Sequence, residues 1–437
     1  MNPTDDAPNR TRRAFLGTTA SLSLAALAGC TGSDGGSGSA ETESMETEET
    51  ETESVETETM EETDTPMPPA DDVPVLNYAL TLEHLENAFY REGLETFSDV
   101  ELMDADVLSS FNERVRMEVP DYLRTVGEHE AAHVAAISDT VKKLNGTPVK
   151  EGEYDFGYKT PSEFLAVAKA LENTGVAAYA GAAPMVVNND VLGAAAGIHS
   201  VEARHASFLN LVNGDSPHPK AVDEAKSVSE VLEIAGQFVT SEVDPSVYEL
   251  DDDRATHDRK AENDTSDVDV LNYALTLEHL ENAFYREGLE TFSDDELMGA
   301  DVLSSFSDEV RMKVPDHLAA VGDHEAAHVA AISDTVKKLD GSPVEEATYD
   351  FGYETPSQFL AVAKALENTG VAAYKGAAPT VSNDDVFSAA IAIHSVEARH
   401  AAFLNELNEE SPFPAGVDEP QTMSEVTEIA GQFIVEN

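Results

Sequence analysis

Glu130-Ala131-Ala132-His133 and Glu202-Ala203-Arg204-His205 decide how this chain folds. Each sets a carboxylate and an imidazole three residues apart, the spacing that brings two side chains to one face of an α-helix. Both tetrads return 195 positions later (Glu130 to Glu325), as Glu325-Ala326-Ala327-His328 and Glu397-Ala398-Arg399-His400. Two more glutamates complete each set: Glu83 and Glu172 in the first copy, Glu278 and Glu367 in the second. Four carboxylates and two imidazoles thus come from four apolar, helix-patterned segments per copy. The pattern predicts an all-α fold, two tandem four-helix bundles, each with the ligands to hold two metal ions in its core.

The rest of the repeat agrees. Residues 75–214 and 270–409 align without a gap and are identical at roughly four positions in five. In the first copy, residues 75–94 carry Leu76, Ala79, Leu80, Leu82, Leu85 and Phe89 on one apolar face. A second helix over 115–144 stops at Asn145-Gly146, a C-cap signal. After a connection rich in Gly, Tyr and Pro (147–158), Thr160-Pro161-Ser162-Glu163 opens a third helix. It supplies a cap residue, proline at the first helical position and glutamate at the third. A fourth helix begins at Asn189-Asp190, and a shorter one over 227–239 closes the module. The single longer connection, between the second and third helices, suits a bundle with one crossover. The modules span 73–240 and 268–437, each long enough to bury its own core. Between them, 241–267 is an acidic linker containing Asp251-Asp252-Asp253.

Residues seven apart also return to nearly the same helical face, and tyrosines stand there. Tyr90 follows Glu83, and Tyr179 follows Glu172; Tyr285 and Tyr374 repeat this in the second copy. These four are candidates to hydrogen-bond ligand carboxylates and to act as catalytic residues, ordinary amphipathic packing being the alternative. Glutamates set among Ala, Leu and Val are costly to bury unpaired, and four of them carry a charge that two divalent ions would neutralise. The same spacings also occur on exposed faces and in buried ion-pair networks without metal; the completeness of each set favours metal. Glu86, one turn after Glu83, competes as the first helix's ligand but has no tyrosine seven positions on. His84 reads as solvent-facing or as a support to the ligands. His129 and His199 flank the ligand faces as hydrogen-bond donors or extra ligands, and Arg204 is expected to pair with a carboxylate near the site.

The ends and the charge bound the setting. Thr11-Arg12-Arg13-Ala14-Phe15-Leu16, followed by a short apolar run to Leu27-Ala28-Gly29-Cys30, reads as a twin-arginine export signal with a lipobox-like end (1–30). Cys30, the chain's one cysteine, is then the lipidated anchor to a membrane; no intramolecular disulfide or thiolate cage can form. A plain cleaved signal is the alternative. Residues 31–72 form a disordered acidic stalk, with a Glu/Thr run from Glu41 to Thr63 and no lysine or arginine. The net charge is −59, from 85 acidic against 26 basic residues. That balance argues against nucleic acid as a partner, since phosphate contacts need clustered cations. It suits an exported halophilic protein, because at about 1 M salt the Debye length falls to about 3 Å and the self-repulsion is screened. The expected location is the outer face of the cytoplasmic membrane or the extracellular space.

At its ligand residues the chain resembles the ferritin-like superfamily. Leu76-Asn77-Tyr78-Ala79-Leu80-Thr81-Leu82-Glu83, His129-Glu130-Ala131-Ala132-His133 and Ile198-His199-Ser200-Val201-Glu202-Ala203-Arg204-His205 look most like its desiccation-related branch. The resemblance covers nearly all of both modules and none of the stalk. It implies two Fe or Mn ions per module, up to four per chain, on Glu83, Glu130, His133, Glu172, Glu202 and His205 and on Glu278, Glu325, His328, Glu367, Glu397 and His400. It departs at Val201 and Val396, where many di-iron relatives carry an acidic residue that orients a ligand histidine. Two functions follow as expectations. One is a redox metalloprotein acting on O2, peroxide or ferrous iron under oxidative or desiccation stress. The other is a non-catalytic surface protein whose metal is structural or vestigial. The bundle faces leave a homo-oligomer open.

Overall fold

In a computed structural model, residues 72–241, 250 and 266–435 are described. The signal-like segment with Cys30, the acidic stalk and most of the expected linker lie outside the described residues. Each module is built around four long helices and an eight-residue one near its end, with shorter helical turns between them. In the first, α1 is Val73–Thr96, α2 Glu113–Lys143, α3 Pro161–Ala182, α4 Asn189–Val212 and α5 Val228–Ala235. In the second, α6 is Asp267–Thr291, α7 Val314–Lys338, α8 Pro356–Ala377, α9 Asp384–Leu407 and α10 Met423–Ala430. Among the described residues there is no strand beyond the isolated bridges Tyr154–Val239 and Tyr349–Ile434, and no helix is long and apolar enough to cross a membrane.

Local chemistry sets the helix ends. The Thr160 hydroxyl accepts from the Glu163 amide while Glu163 accepts from the Thr160 amide, a closed capping box behind Pro161. Asn112 and Asn188 cap α2 and α4 through their side-chain oxygens. At the end of α2, Asn145 takes φ +58°, and the Gly146 amide turns back to the Val141 carbonyl. The copies differ at the second helix: α2 runs through Pro120, whereas Pro315 stands at the start of α7, behind a separate turn at Asp308–Arg311.

Within each module α1 pairs with α2 and α3 with α4, with α6–α7 and α8–α9 repeating the arrangement. Aromatic rings fill one end of each core. Phe89 stacks on Phe164 with centres 4.7 Å apart, as Phe284 does on Phe359. The modules are not separate beads. Helices α4 and α9 lie against each other, burying Val176, Ala203 and Ala206 against Val371, Ala398 and Ala401. Small side chains there let the two helices approach closely.

Candidate metal centre

The four long helices of a module aim their carboxylates at one point. Glu83 and Glu86 come from α1, Glu130 and His133 from α2, Glu172 from α3, and Glu202 and His205 from α4. All are buried, the six expected ligands completely so, and the second module repeats this with Glu278, Glu281, Glu325, His328, Glu367, Glu397 and His400. The spacing of three and the apolar flanks suffice to explain the placement: each helix can bury its leucines and valines only by turning these polar groups inward too.

His133 Nδ1 lies 3.2 Å from Glu83, 3.4 Å from Glu130 and 3.1 Å from Glu202. His205 Nδ1 lies 3.1 Å from Glu130 and 3.2 Å from Glu172. Two donor groups result, Glu83–Glu130–His133–Glu202 and Glu130–Glu172–Glu202–His205, each with its ligand atoms within 4.8 Å of one another. Glu130 and Glu202 belong to both. The second module forms the same pair of groups, sharing Glu325 and Glu397. Such clusters of buried oxygen and imidazole donors can hold metal ions.

The protein alone balances this charge poorly. Burial drives Glu202 well above the usual carboxylate range, with Glu130 and Glu172 adding to the push, and holds Glu83 at about 7. Burial opposes the charged forms of Glu130 and His133 as well, yet their mutual attraction wins: Glu130 is held low and His133 well above its ordinary value. Glu202 Oε2 is buried without a hydrogen-bond partner, while Glu202 Oε1 and both oxygens of Glu130 meet only the two imidazoles, at 3.1–3.4 Å. Carboxylate oxygens so sparsely paired at that depth are costly, and cations between them would remove the cost. The residues therefore fit a dinuclear metal site.

Glu86 is inside as well. Its carboxylate sits beside Glu202 over Gly175: a Cβ at position 175 would lie 3.0 Å from Glu86 Oε1 and 3.3 Å from Glu202 Oε2. Gly370 clears the same space in the second module, and neither glycine carries a signal that sequence reading could have used. Glu83, not Glu86, belongs to the donor groups. Burial and the neighbouring carboxylates, Glu202 foremost, push Glu86 far upward.

The tyrosines do reach ligands. Tyr90 donates to Glu172 and Tyr179 to Glu83, and Tyr285 and Tyr374 repeat these bonds to Glu367 and Glu278. His129 Nδ1 meets His205 Nε2 at 3.1 Å, so it supports that ligand from behind. His84 points away, to the Val149 carbonyl at 3.2 Å. His199 bonds no ligand; it lies beside Tyr179 and meets His394 across the module boundary, ring centres 6.0 Å apart. Arg204 does pair with a carboxylate, but with Asp418 of the other module, at 2.8 Å. The outer nitrogen of His133 also leaves its own module, meeting the Gly416 carbonyl at 2.6 Å.

Comparison with protein families matches a ferritin-like domain twice, over residues 71–215 and 266–410. Comparison with curated proteins gives no match.

Proposed function

The chain belongs to the ferritin-like domain family, and from that premise we propose that each module holds two Fe or Mn ions and reacts with O2, peroxide or ferrous iron. One observation carries the reading: in each module two donor groups share two glutamates. Glu130 and Glu202, which belong to both groups, would serve both ions. Glu83 with His133 would close one end, and Glu172 with His205 the other. When bound, a metal pair of this kind supplies redox equivalents to an oxidant. The chain's own residues set the conditions. Tyr90 and Tyr179 hold Glu172 and Glu83 in place through their hydroxyls. The shell of Leu, Val and Phe keeps water out. The proton that burial favours on Glu202 must leave when cations enter, so metal affinity is expected to rise with pH.

In the same reading the chain is exported through its twin-arginine segment and tethered by Cys30, with the stalk as spacer. The test is elemental mass spectrometry on protein folded in high salt. Close to four Fe or Mn per chain are expected, and close to two in Glu130→Ala/Glu202→Ala. Loaded protein should then consume peroxide or oxidise ferrous iron; loaded protein that does neither removes the enzymatic half of the proposal. Complete burial of every ligand favours a second reading, in which the metal only holds the bundle together. A large rise in melting temperature on loading, without turnover, would select it.

A further inference from the structure

A ligand histidine needs its second nitrogen fixed, or the ring turns and the ligand is lost. Val201, beside Glu202, has no polar side-chain atom to offer His133. The structure supplies one from the opposite module. Residues 408–422, between α9 and α10, cross to the first bundle, and the Gly416 carbonyl accepts from His133 Nε2 at 2.6 Å. Residues 213–227, between α4 and α5, make the reciprocal crossing, and the Ala221 carbonyl accepts from His328 Nε2 at 2.6 Å. A carbonyl can only accept. Each bond therefore places a proton on Nε2 and turns Nδ1 towards the carboxylates.

Both crossings are anchored two residues further on. Asp418 accepts from Arg204 Nε at 2.8 Å, while Arg204 Nη2 donates to Asn368 at 3.0 Å. The Asp418 amide donates to the Gly197 carbonyl of α4 at 3.2 Å. In mirror image, Asp223 accepts from Arg399 at 2.7 Å, Arg399 reaches Asn173 at 3.1 Å, and the Asp223 amide bonds the Ala392 carbonyl at 3.2 Å. Gly416 presses so closely on α2 that a Cβ there would come within 3.2 Å of the His129 ring. A buried guanidinium clamped by a carboxylate and an amide is a rigid support, not a surface pair.

We propose that each metal centre is positioned from the opposite module, the Asp418 loop setting His133 and the Asp223 loop setting His328, so that the pair of modules is the smallest functional unit. Asp418 and Asp223 are positioning residues, and the proposal rests on the dinuclear reading above.

The test uses the full chain and Co2+ alone as probe, followed by its visible absorption. Glu325→Ala/Glu397→Ala leaves only the first centre to report; Glu130→Ala/Glu202→Ala leaves only the second. Adding Asp418→Ala should weaken Co2+ binding about 10- to 100-fold in the first reporter, with no comparable loss in the second. Asp223→Ala should do the reverse, and Asp418→Asn, which can still accept from Arg204, should restore most of the affinity. Loss in the centre of the mutated loop's own module, or in neither centre, overturns the proposal. Failure of the parent chain to bind any metal would instead strike at the dinuclear reading. The metal-free chain still decides the inference, through 15N-edited spectra of the imidazoles. The His133 Nε2–H should exchange slowly with water and become fast in Asp418→Ala while that of His328 stays slow. Unchanged exchange at His133 overturns the inference.

Discussion

The two modules are alike where they would hold metal and in the clamps that join them, and unlike in the side chains that each loop sets beside the other's centre. Both centres carry the same ligands, tyrosines and supporting histidine at the same separations. The inserted loops differ. The first centre receives Phe413, whose ring stands edge-on to His205 at 5.1 Å and packs with Tyr122 and Phe208. The second receives His218 at the equivalent place, 5.1 Å from His400 and close to His317 and His324. One centre thus has an aromatic wall, the other a buried cluster of imidazoles. Lys375 adds to the contrast. Its ammonium donates to the Asp418 carbonyl and lies over Gly197, while Ala180 and Ala392 fill the mirrored places. A duplicated chain has kept identical what the ligand geometry and the reciprocal clamps require, and has diverged at a few positions around them, Phe413 and Lys375 among them. The two centres therefore sit in different surroundings.

The largest test of the comparison removes one clamp at a time. Arg204→Met and Arg399→Met each leave a largely buried aspartate without its guanidinium, which typically costs about 3–5 kcal/mol. The costs should be unequal. Asp418 keeps Lys375 nearby, whereas Asp223 faces the side that carries Ala180. Urea denaturation should show the greater loss for Arg399→Met. Equal losses would mean that the lysine does not distinguish the two loops.

A second asymmetry is Glu406, which stands where the first copy has Leu211. Burial, with Glu118 of the other module beside it, pushes its carboxyl to about 7, against the hydrogen bond from Tyr122 and the charge of Arg114. Its ordinary value is 4.5. The folded state therefore holds a proton that the unfolded chain releases between those values. Stability should fall as pH rises across that window and stay lower by the full amount above about 7. At roughly 1.4 kcal/mol per tenfold in proton affinity, the cost is at most about 3.5 kcal/mol. Glu406→Leu, copying the first module, should stabilise the chain at pH 8, gain little at pH 4, and flatten the dependence between. Melting curves across that range that overlay the parent's would remove Glu406 as the source.

Which of these features the sequence reveals follows from the physics of each. The ligand sets are legible because helical periodicity alone brings residues three and seven apart to one face, as with Glu130 and His133 or Glu83 and Tyr90. The same periodicity cannot choose between Glu83 and Glu86, which differ by less than one turn, and both are indeed inside. The bond to the Gly416 carbonyl leaves no mark in the sequence: a backbone acceptor has no residue identity, and it lies 283 positions from His133. Arg204 could be assigned a carboxylate partner but not a module, because an exact repeat of Arg and Asp in both copies allows pairing within a copy or between copies. The close approach of Glu86 and Glu202 to Gly175 is equally hidden, since a helical glycine also reads as a mere weakness in the helix. What the sequence carries well is local and periodic, and what it hides here is the exchange between copies.

The smallest effect goes to the heart of the contrast. His218 Nδ1 is buried without a hydrogen-bond partner, while Nε2 contacts the His317 carbonyl at 3.2 Å. Burial, and then the neighbouring His400, His317 and His324, hold His218 well below its ordinary value. Phe413→His would place a second imidazole beside the ring of Tyr122 in place of that of His317, with one nitrogen left without a partner as at His218. An unsatisfied buried nitrogen costs about 1–3 kcal/mol, and the edge-on contact with His205 is lost with it. His218→Phe removes the same orphan from the second module and should be neutral or stabilising by about 1 kcal/mol. If loops and pockets are matched only through these two rings, the double exchange should cost the sum of the single ones, because the sites are separate. Tyr122→His added to Phe413→His should recover part of the loss by rebuilding the second module's environment in the first. Thermal unfolding of the four variants decides it: no recovery would mean that the difference between the two centres lies deeper than the residues the loops insert.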